Sequence, residues 1–334
     1  MDLPVLWFAI VGLFFVGYFV LDGFDFGVGM SLPFLGKDDT DRRVLINTIG
    51  PVWDLNETWV IVAGACLFAA FPEWYATMFS GFYLALLLIL AALIARGVSF
   101  EYRHQNKHLE WKRRFDLMII VGSAVPSFLW GVAFGNVVRG IPMDSGHNYT
   151  GTLFDLLNPF ALLAGATTLL VFFTHGVVFV ALKTEGEMRE RAMRLAKRAG
   201  VVTIVVAAVF LVTMALVRST PTSLVLSAVG AVALVVAVLC AARGREGRAF
   251  ALMAVTIAAV VLAMFTAVFP DVMPATNDPA NSLTVANASS GTYTLTVMSW
   301  VALVCIPLVL AYQAWTYWVF RKRVSRATVA QAAH

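Results

Sequence analysis

Two pairs of carboxylates stand out in a chain with few charges. Asp22 and Asp25 lie in Leu21-Asp22-Gly23-Phe24-Asp25-Phe26-Gly27-Val28-Gly29-Met30, and Asp54 and Glu57 lie in Pro51-Val52-Trp53-Asp54-Leu55-Asn56-Glu57-Thr58-Trp59. Each pair is spaced i, i+3, which puts both acids on one face of a helix. An ionisable side chain at membrane depth costs at least ~2.5–3.5 kcal/mol, so each one needs a reason to be there. Carboxyl groups in an apolar site can hold a proton at neutral pH and pass it on, which makes Asp54, Asp22, Asp25 and Glu57 candidates for a proton-uptake route. The competing reading is structural. Asp22 and Asp25 would sit near the water line and pair with Arg42 or Arg43, and Asp54 would occupy a helix N-terminus, where negative charge is favoured. Gly23 and Gly27 form a GxxxG that lets a second helix backbone approach closely. The DGFDFGVG run lacks a complete dinucleotide fingerprint and follows no strand, so it does not point to nucleotide binding.

Redox metals need ligands, and haem iron in membranes is usually held by His or Met. The chain has five His. His104 and His108 fall in one polar loop, His147 in another, and His334 at the last position, which leaves His175 alone in an apolar run. A bis-His site within the chain is excluded, and a lone intramembrane His is expected to hydrogen-bond a neighbouring helix. Cys66, Cys240 and Cys305 are isolated in apolar stretches, without CxxC spacing or a Cys/His cluster. No catalytic, cofactor-binding or metal residue is therefore assigned to the chain itself.

The elements that must position these groups follow from composition. Of 334 residues, 60% are hydrophobic and 13% charged, with a mean hydropathy of +0.81, against about 25% charged in soluble domains. Apolar runs near 20 residues require helices rather than barrel strands to satisfy the backbone in lipid. Nine are expected: Leu3–Met30, Pro51–Phe71, Trp74–Ala95, Phe115–Val138, Asn158–Leu182, Gly200–Val217, Ser223–Ala242, Ala249–Phe269 and Tyr293–Phe320. With nine spans, all but two of the 24 Lys+Arg fall on one side, Arg139 and Arg218 being the exceptions. The positive-inside rule makes that side cytoplasmic, with the N-terminus outside and the C-terminus inside. The start, Met1-Asp2-Leu3-Pro4, has no basic n-region and no cleavage site follows, so the first helix is expected to be retained. The net charge of +4 is scattered through loops rather than gathered in a stripe, which excludes nucleic acid as a partner. Two outside segments, Arg139–Leu157 and Pro270–Thr292, are long enough to fold over the membrane face.

Together these residues resemble subunit II of the cytochrome bd-type quinol oxidases. The resemblance runs through Asp22–Met30, Asp39-Thr40-Asp41-Arg42-Arg43, Pro51-Val52-Trp53-Asp54 with Trp59, and Phe79-Ser80-Gly81-Phe82-Tyr83. It continues in Gly131-Val132-Ala133-Phe134-Gly135-Asn136, Leu157-Asn158-Pro159-Phe160 and Asn281-Ser282-Leu283-Thr284. It implies an all-α integral membrane protein of nine transmembrane helices: two four-helix bundles, 1–138 and 158–269, plus a peripheral ninth helix at 293–320, in one polytopic domain in the bacterial cell membrane. It also implies a heterodimer with a subunit I that carries two b-type haems and one d-type haem, oxidises quinol and reduces dioxygen to water. Membrane lipid and quinone are the other implied partners, and small accessory single-helix subunits are compatible with the architecture. Asp54, with Asp22 and Asp25, would lie on a cytoplasmic proton path. The alternatives are a cyanide-insensitive oxidase subunit of the same architecture, a secondary transporter with a carboxylate-lined pathway, and a purely structural assembly subunit. Transport is disfavoured because the acids are expected at the cytoplasmic edge rather than at the midplane.

Overall fold

A computed structural model describes residues 2–106 and 108–327; Lys107 and His334 lie outside the described residues. Among the described residues twelve α-helices follow in order: α1 Leu3–Leu35, α2 Asp39–Ile49, α3 Trp53–Ala70, α4 Pro72–Gly81, α5 Tyr83–Tyr102, α6 Leu109–Arg139, α7 Leu153–Leu156, α8 Pro159–Lys183, α9 Gly186–Val217, α10 Pro221–Ala242, α11 Glu246–Val268 and α12 Thr292–Val319. Among the described residues eight helices are long and apolar enough to cross a membrane, and the pair α2 and α3, bent by 47°, makes a ninth. The helix starts are written in the sequence. Pro4, Pro72, Pro159 and Pro221 stand in the first turn, where a missing N–H costs nothing. Asn158 caps α8 through the Ala161 N–H, and Thr220 and Ser223 form a reciprocal box at α10.

α1 is the central helix. It packs on α3 and α6 to one side and on α8 and α11 to the other. Helices α8, α9, α10 and α11 close a ring, each on the next and α11 back on α8. Lipid supplies no hydrophobic drive between helices, so close packing and small residues must hold them together. A Cβ on Gly27 would overlap the Phe172 carbonyl oxygen and lie 2.7 Å from Gly176 Cα, so α1 and α8 touch backbone to backbone. Gly23, one turn earlier, faces the Phe172 ring. Gly131 on α6 meets Gly165 on α8 in the same manner. Aromatic rings fill the space above these crossings, with Phe15 on Phe134 at 4.9 Å and Phe8 on Phe265 at 5.4 Å. α12 is largely exposed, burying only Leu295, Gln313 and Thr316. The Trp7 indole holds its start through the Leu295 carbonyl and the Ser299 hydroxyl.

The chain departs from the expected helices in three places. The third expected span, Trp74–Ala95, is two helices that break at Phe82. No proline or charge marks that break. What fixes it is tertiary: Gly81 sits against Tyr149 and Thr77 donates to the His147 carbonyl, so α4 is held under the 140–158 segment. α2 is absent from the hydropathy reading because its mean character is polar; it carries the Asp39–Arg43 run and packs across α1 and α8. α9 begins at Gly186, well before the expected Gly200, since its charged first turns lie outside the apolar run.

All the basic loops interlock at one end, called here the basic end. Arg103 binds Asp116 and Asp39, Arg42 binds Asp116, Arg191 and Arg326 bind Asp41, and Arg189 and Arg323 share Glu246. At the other end the segments 140–158 and 269–291 form a cover. Strand β1 (Asp271–Met273) pairs antiparallel with β2 (Leu283–Thr284), Ile141 bridges Ala275, and Arg218 reaches Asp271.

Candidate functional site

Asp22 and Asp25, both fully buried, project from the middle of α1 into a polar cluster. Asp22 stands roughly 20 Å of helix rise before the end of α1 at Leu35, so the expectation of a position near the water line is corrected. Its partner is also different. The Arg96 guanidinium donates through one nitrogen to Asp22 Oδ1 at 2.8 Å and to Glu57 Oε2 at 3.0 Å. Arg42, expected to serve Asp22 or Asp25, instead binds Asp116 at 2.8 Å. Arg96, expected in a polar loop, lies within α5 with 0% exposure, its guanidinium carbon 4.3 Å from the Phe26 ring centroid.

Each group is brought in by a local feature of sequence. Gly122 on α6 opposes the Ala92 carbonyl at 2.7 Å from a would-be Cβ, and Arg96 Cβ at 2.9 Å, so a larger residue would push α5 and its arginine away. Glu57 comes from the second turn of α3 and keeps 22% side-chain exposure, which makes it the least buried of the three acids. Asp25 has no cationic partner within salt-bridge reach among the described residues. Its Oδ2 accepts from Asn56 Nδ2 at 2.8 Å. The Asn56 carbonyl then accepts from Gln313 Nε2 at 3.1 Å and from the Tyr317 hydroxyl at 2.8 Å, which ties α12 to the cluster. Two donors on that oxygen fix the amide orientation, so Asn56 must donate to Asp25. Four buried polar atoms in the cluster have no protein partner: Asp22 Oδ2, Asp25 Oδ1, Arg96 Nε and Arg96 Nη1. Such atoms at membrane depth call for internal water or mobile protons.

Asp54 is not in the cluster. It is exposed and heads a stripe on α3 with Thr58, Ile61, Ala65 and Phe68. The i, i+3 spacing with Glu57 is real, but the helix turns Glu57 inward and Asp54 outward. The structure thus brings Asp22, Asp25 and Glu57 together and leaves Asp54 at the surface one turn away. Arg96, Asn56, Gln313 and Tyr317 are members that the sequence reading misses. Gln313 and Tyr317 carry a signal, since they interrupt an apolar run at i, i+4, whereas Arg96 stands at the edge of its run and carries none.

His175 is fully buried. A carbonyl can only accept, so its Nε2 donates to Val20 O at 3.1 Å, and its ring stacks on Phe250 at 4.7 Å. Among the described residues no group of three or more His, Cys, Asp or Glu is placed to hold a metal ion.

Outside the spans, Asp38 caps α2. The Asp41 N–H, and secondarily the Arg326 guanidinium, hold its carboxyl below the usual carboxylate range.

Comparison with known proteins agrees with this architecture. The family model for cytochrome bd terminal oxidase subunit II matches residues 3–320. The chain is 42% identical over 325 residues to cytochrome bd ubiquinol oxidase subunit 2 of Bacillus subtilis (strain 168), covering 96% of each chain. It is 38% identical over 373 residues to cytochrome bd-I ubiquinol oxidase subunit 2 of Escherichia coli (strain K12), covering 99% of this chain and 98% of that one. A chain in the structure of bd oxidase from Geobacillus thermodenitrificans has the same fold, with a TM-score of 0.74 over 96% of this chain and 99% of that one, at 15% identity. The chain belongs to the cytochrome bd terminal oxidase subunit II family.

Proposed function

We propose that this subunit of a bd-type quinol oxidase scaffolds a haem-bearing subunit I and feeds protons to it from the cytoplasm. The basic end is then cytoplasmic, with the N-terminus outside and the C-terminus inside, by the positive-inside rule. Subunit I carries the two b-type haems and the d-type haem that take electrons from quinol to dioxygen. In this reading His175 is a packing residue rather than a haem ligand: its Nε2 donates to Val20 O, its ring stacks on Phe250 and Phe24 meets it edge-on.

The observation that carries the proton reading is the charge count of the buried cluster. Three carboxyl groups, Asp22, Asp25 and Glu57, face one guanidinium, that of Arg96. A buried charge without a partner costs several kcal/mol, so the negative charge in excess there, three carboxyls against one guanidinium, is reduced best by a proton held on a carboxyl. Asp22 and Glu57 share Arg96 and Glu57 keeps some exposure, which leaves Asp25 as the holder. Its unpartnered Oδ1 is the atom from which a proton can leave. Asp54, on the exposed stripe of α3, faces the partner subunit and is the point where the route crosses between chains.

Reduction of each dioxygen to water consumes four protons, so a blocked route slows turnover directly. Asp54→Asn keeps shape and hydrogen bonding and removes only titration. In the intact complex its turnover is expected to fall at least about tenfold, equivalent to ~1.4 kcal/mol of barrier, with the haem spectrum unchanged. Full activity would leave Asp54 as a residue of the first helical turn and move the route into subunit I. A transporter reading has a favourable point in the mid-helix depth of Asp22, but Asp22 and Glu57 are both held by one fixed arginine, which leaves them no freedom to take a substrate.

A further inference from the structure

At the basic end, α2, α8, α11 and α12 leave a cavity of about 350 Å³ whose chemistry is two-sided. Its inner wall is apolar, made by Phe179, Leu182 and Phe250. Its rim carries Lys183, Arg321 and Arg323. Lys183 ends α8 and Phe320 caps α12, so the rim lies where two spans reach their termini.

The positive charge at this rim is not balanced by the protein. Lys183 Nζ donates to the Phe320 and Lys322 carbonyls, which are neutral acceptors. Arg321 donates to the Trp318 carbonyl and lies over the Trp318 ring, 4.5 Å from its centroid. Neither cation has a carboxylate partner among the described residues. Arg323 does bind Glu246 at 2.7 Å, but Glu246 is shared with Arg189, so one carboxylate serves two guanidiniums. The carbonyl contacts hold the Lys183 ammonium in place and leave its charge available.

We propose that this cavity binds the headgroup of an anionic phospholipid. A phosphodiester meets Lys183 and the two guanidiniums at the rim, and the start of an acyl chain lies against Phe179, Leu182 and Phe250 before running into the bilayer. Basic pockets between helices at the cytoplasmic boundary take acidic headgroups for this reason. A free phosphate would satisfy the rim and leave the apolar wall unused, and a neutral lipid would do the reverse. Tyr317 lines this cavity and donates its hydroxyl to Asn56 of the Asp22–Arg96 cluster, so the test varies only the rim cations and leaves that contact in place.

The test uses the whole complex in nanodiscs of phosphatidylcholine, with or without about a quarter phosphatidylglycerol. Native mass spectrometry counts retained phosphatidylglycerol, and thermal unfolding reports its effect. The wild type is expected to retain the anionic lipid and unfold at a higher temperature with it. The double variant Lys183→Gln/Arg321→Gln is expected to retain at least about tenfold less, while Lys197→Gln/Arg198→Gln, on the exposed face of α9, behaves as wild type. Equal retention by the first double variant overturns the site. Inorganic phosphate that raises the unfolding temperature as much as the lipid does shows an ion site and overturns the lipid assignment. Loss of subunit I with unchanged lipid retention shows a protein interface and overturns it as well. If the double variant does not assemble, exposed Arg321→Gln alone gives the same readings.

Discussion

Arg96 is the residue on which the buried cluster depends. Its one nitrogen serves Asp22 and Glu57, and its fully buried guanidinium rests on Phe26. Removing one partner of a buried pair strands the other and costs about 3–5 kcal/mol. Arg96→Met should therefore lower the unfolding temperature and yield of the complex, and adding Asp22→Asn should recover much of the loss. A single Arg96→Met complex as stable as wild type would show that Asp22 is not ionised against it. The acids were legible in the sequence because carboxylates are rare in apolar runs. Their partner was not, because Arg96 sits at the edge of its apolar run and reads equally well as the first residue of a loop. Only the packing of Gly122 against Ala92 draws it inward. The same limit explains Asp54: spacing puts it on a face with Glu57, but which part of that face looks inward depends on the rotation of α3 about its own axis.

At the scale of elements, the length and placement of most spans followed from hydropathy, since lipid imposes a helix wherever about 20 apolar residues run together. The break at Phe82 and the amphipathic α2 did not, because both are set by contacts with segments distant in sequence. Gly27 was legible as a close-packing residue, though not its counterpart Gly176, which has no second small residue four positions away, Phe172 and Val180 standing there. A Cβ at Gly27 would overlap the Phe172 carbonyl oxygen, which is backbone and cannot rotate away. Gly27→Leu is expected to separate α1 from α8 and cut the yield of assembled complex severalfold, measured by size-exclusion chromatography with the complex followed by its haem absorbance. Normal yield and thermal stability would contradict the close crossing. Overpacking of this kind typically costs about 1–3 kcal/mol, and more where backbone must move.

At the scale of the whole molecule, the basic end is clamped by ion pairs that join α2, the α5–α6 connection, α9 and the segment after α12. Asp38 is one anchor, bound by the Asp41 N–H and by Arg326 at 2.6 Å. Because its folded carboxyl is held below the usual range, its contribution is complete above the ordinary Asp value near ~3.9. It is lost as pH falls through the lower folded value. The unfolding temperature of the complex should therefore hold steady down to about pH 5 and drop below about pH 4. Arg326→Ala should reduce that acid-dependent drop. An identical acid limb in Arg326→Ala would show that the clamp at Asp38 is surface-screened and carries no stability.

The central claim is that a buried carboxyl of this subunit carries protons for dioxygen reduction, and Asp25 tests it most directly, being the acid without a cation. The measurement is quinol-driven oxygen consumption by the purified complex carrying Asp25→Asn, beside Asp25→Glu, with the reduced-minus-oxidised haem spectrum recorded for both. The amide introduced by Asp25→Asn would still accept from Asn56 through its carbonyl oxygen, so the fold of the cluster is preserved while titration is lost. The account predicts at least about a tenfold fall in turnover for Asp25→Asn, ~1.4 kcal/mol or more of barrier, an unaltered haem spectrum, and substantial recovery in Asp25→Glu, which restores a carboxyl. Wild-type turnover in an assembled Asp25→Asn complex would contradict it and reduce the cluster to a structural clasp between α1, α3, α5 and α12.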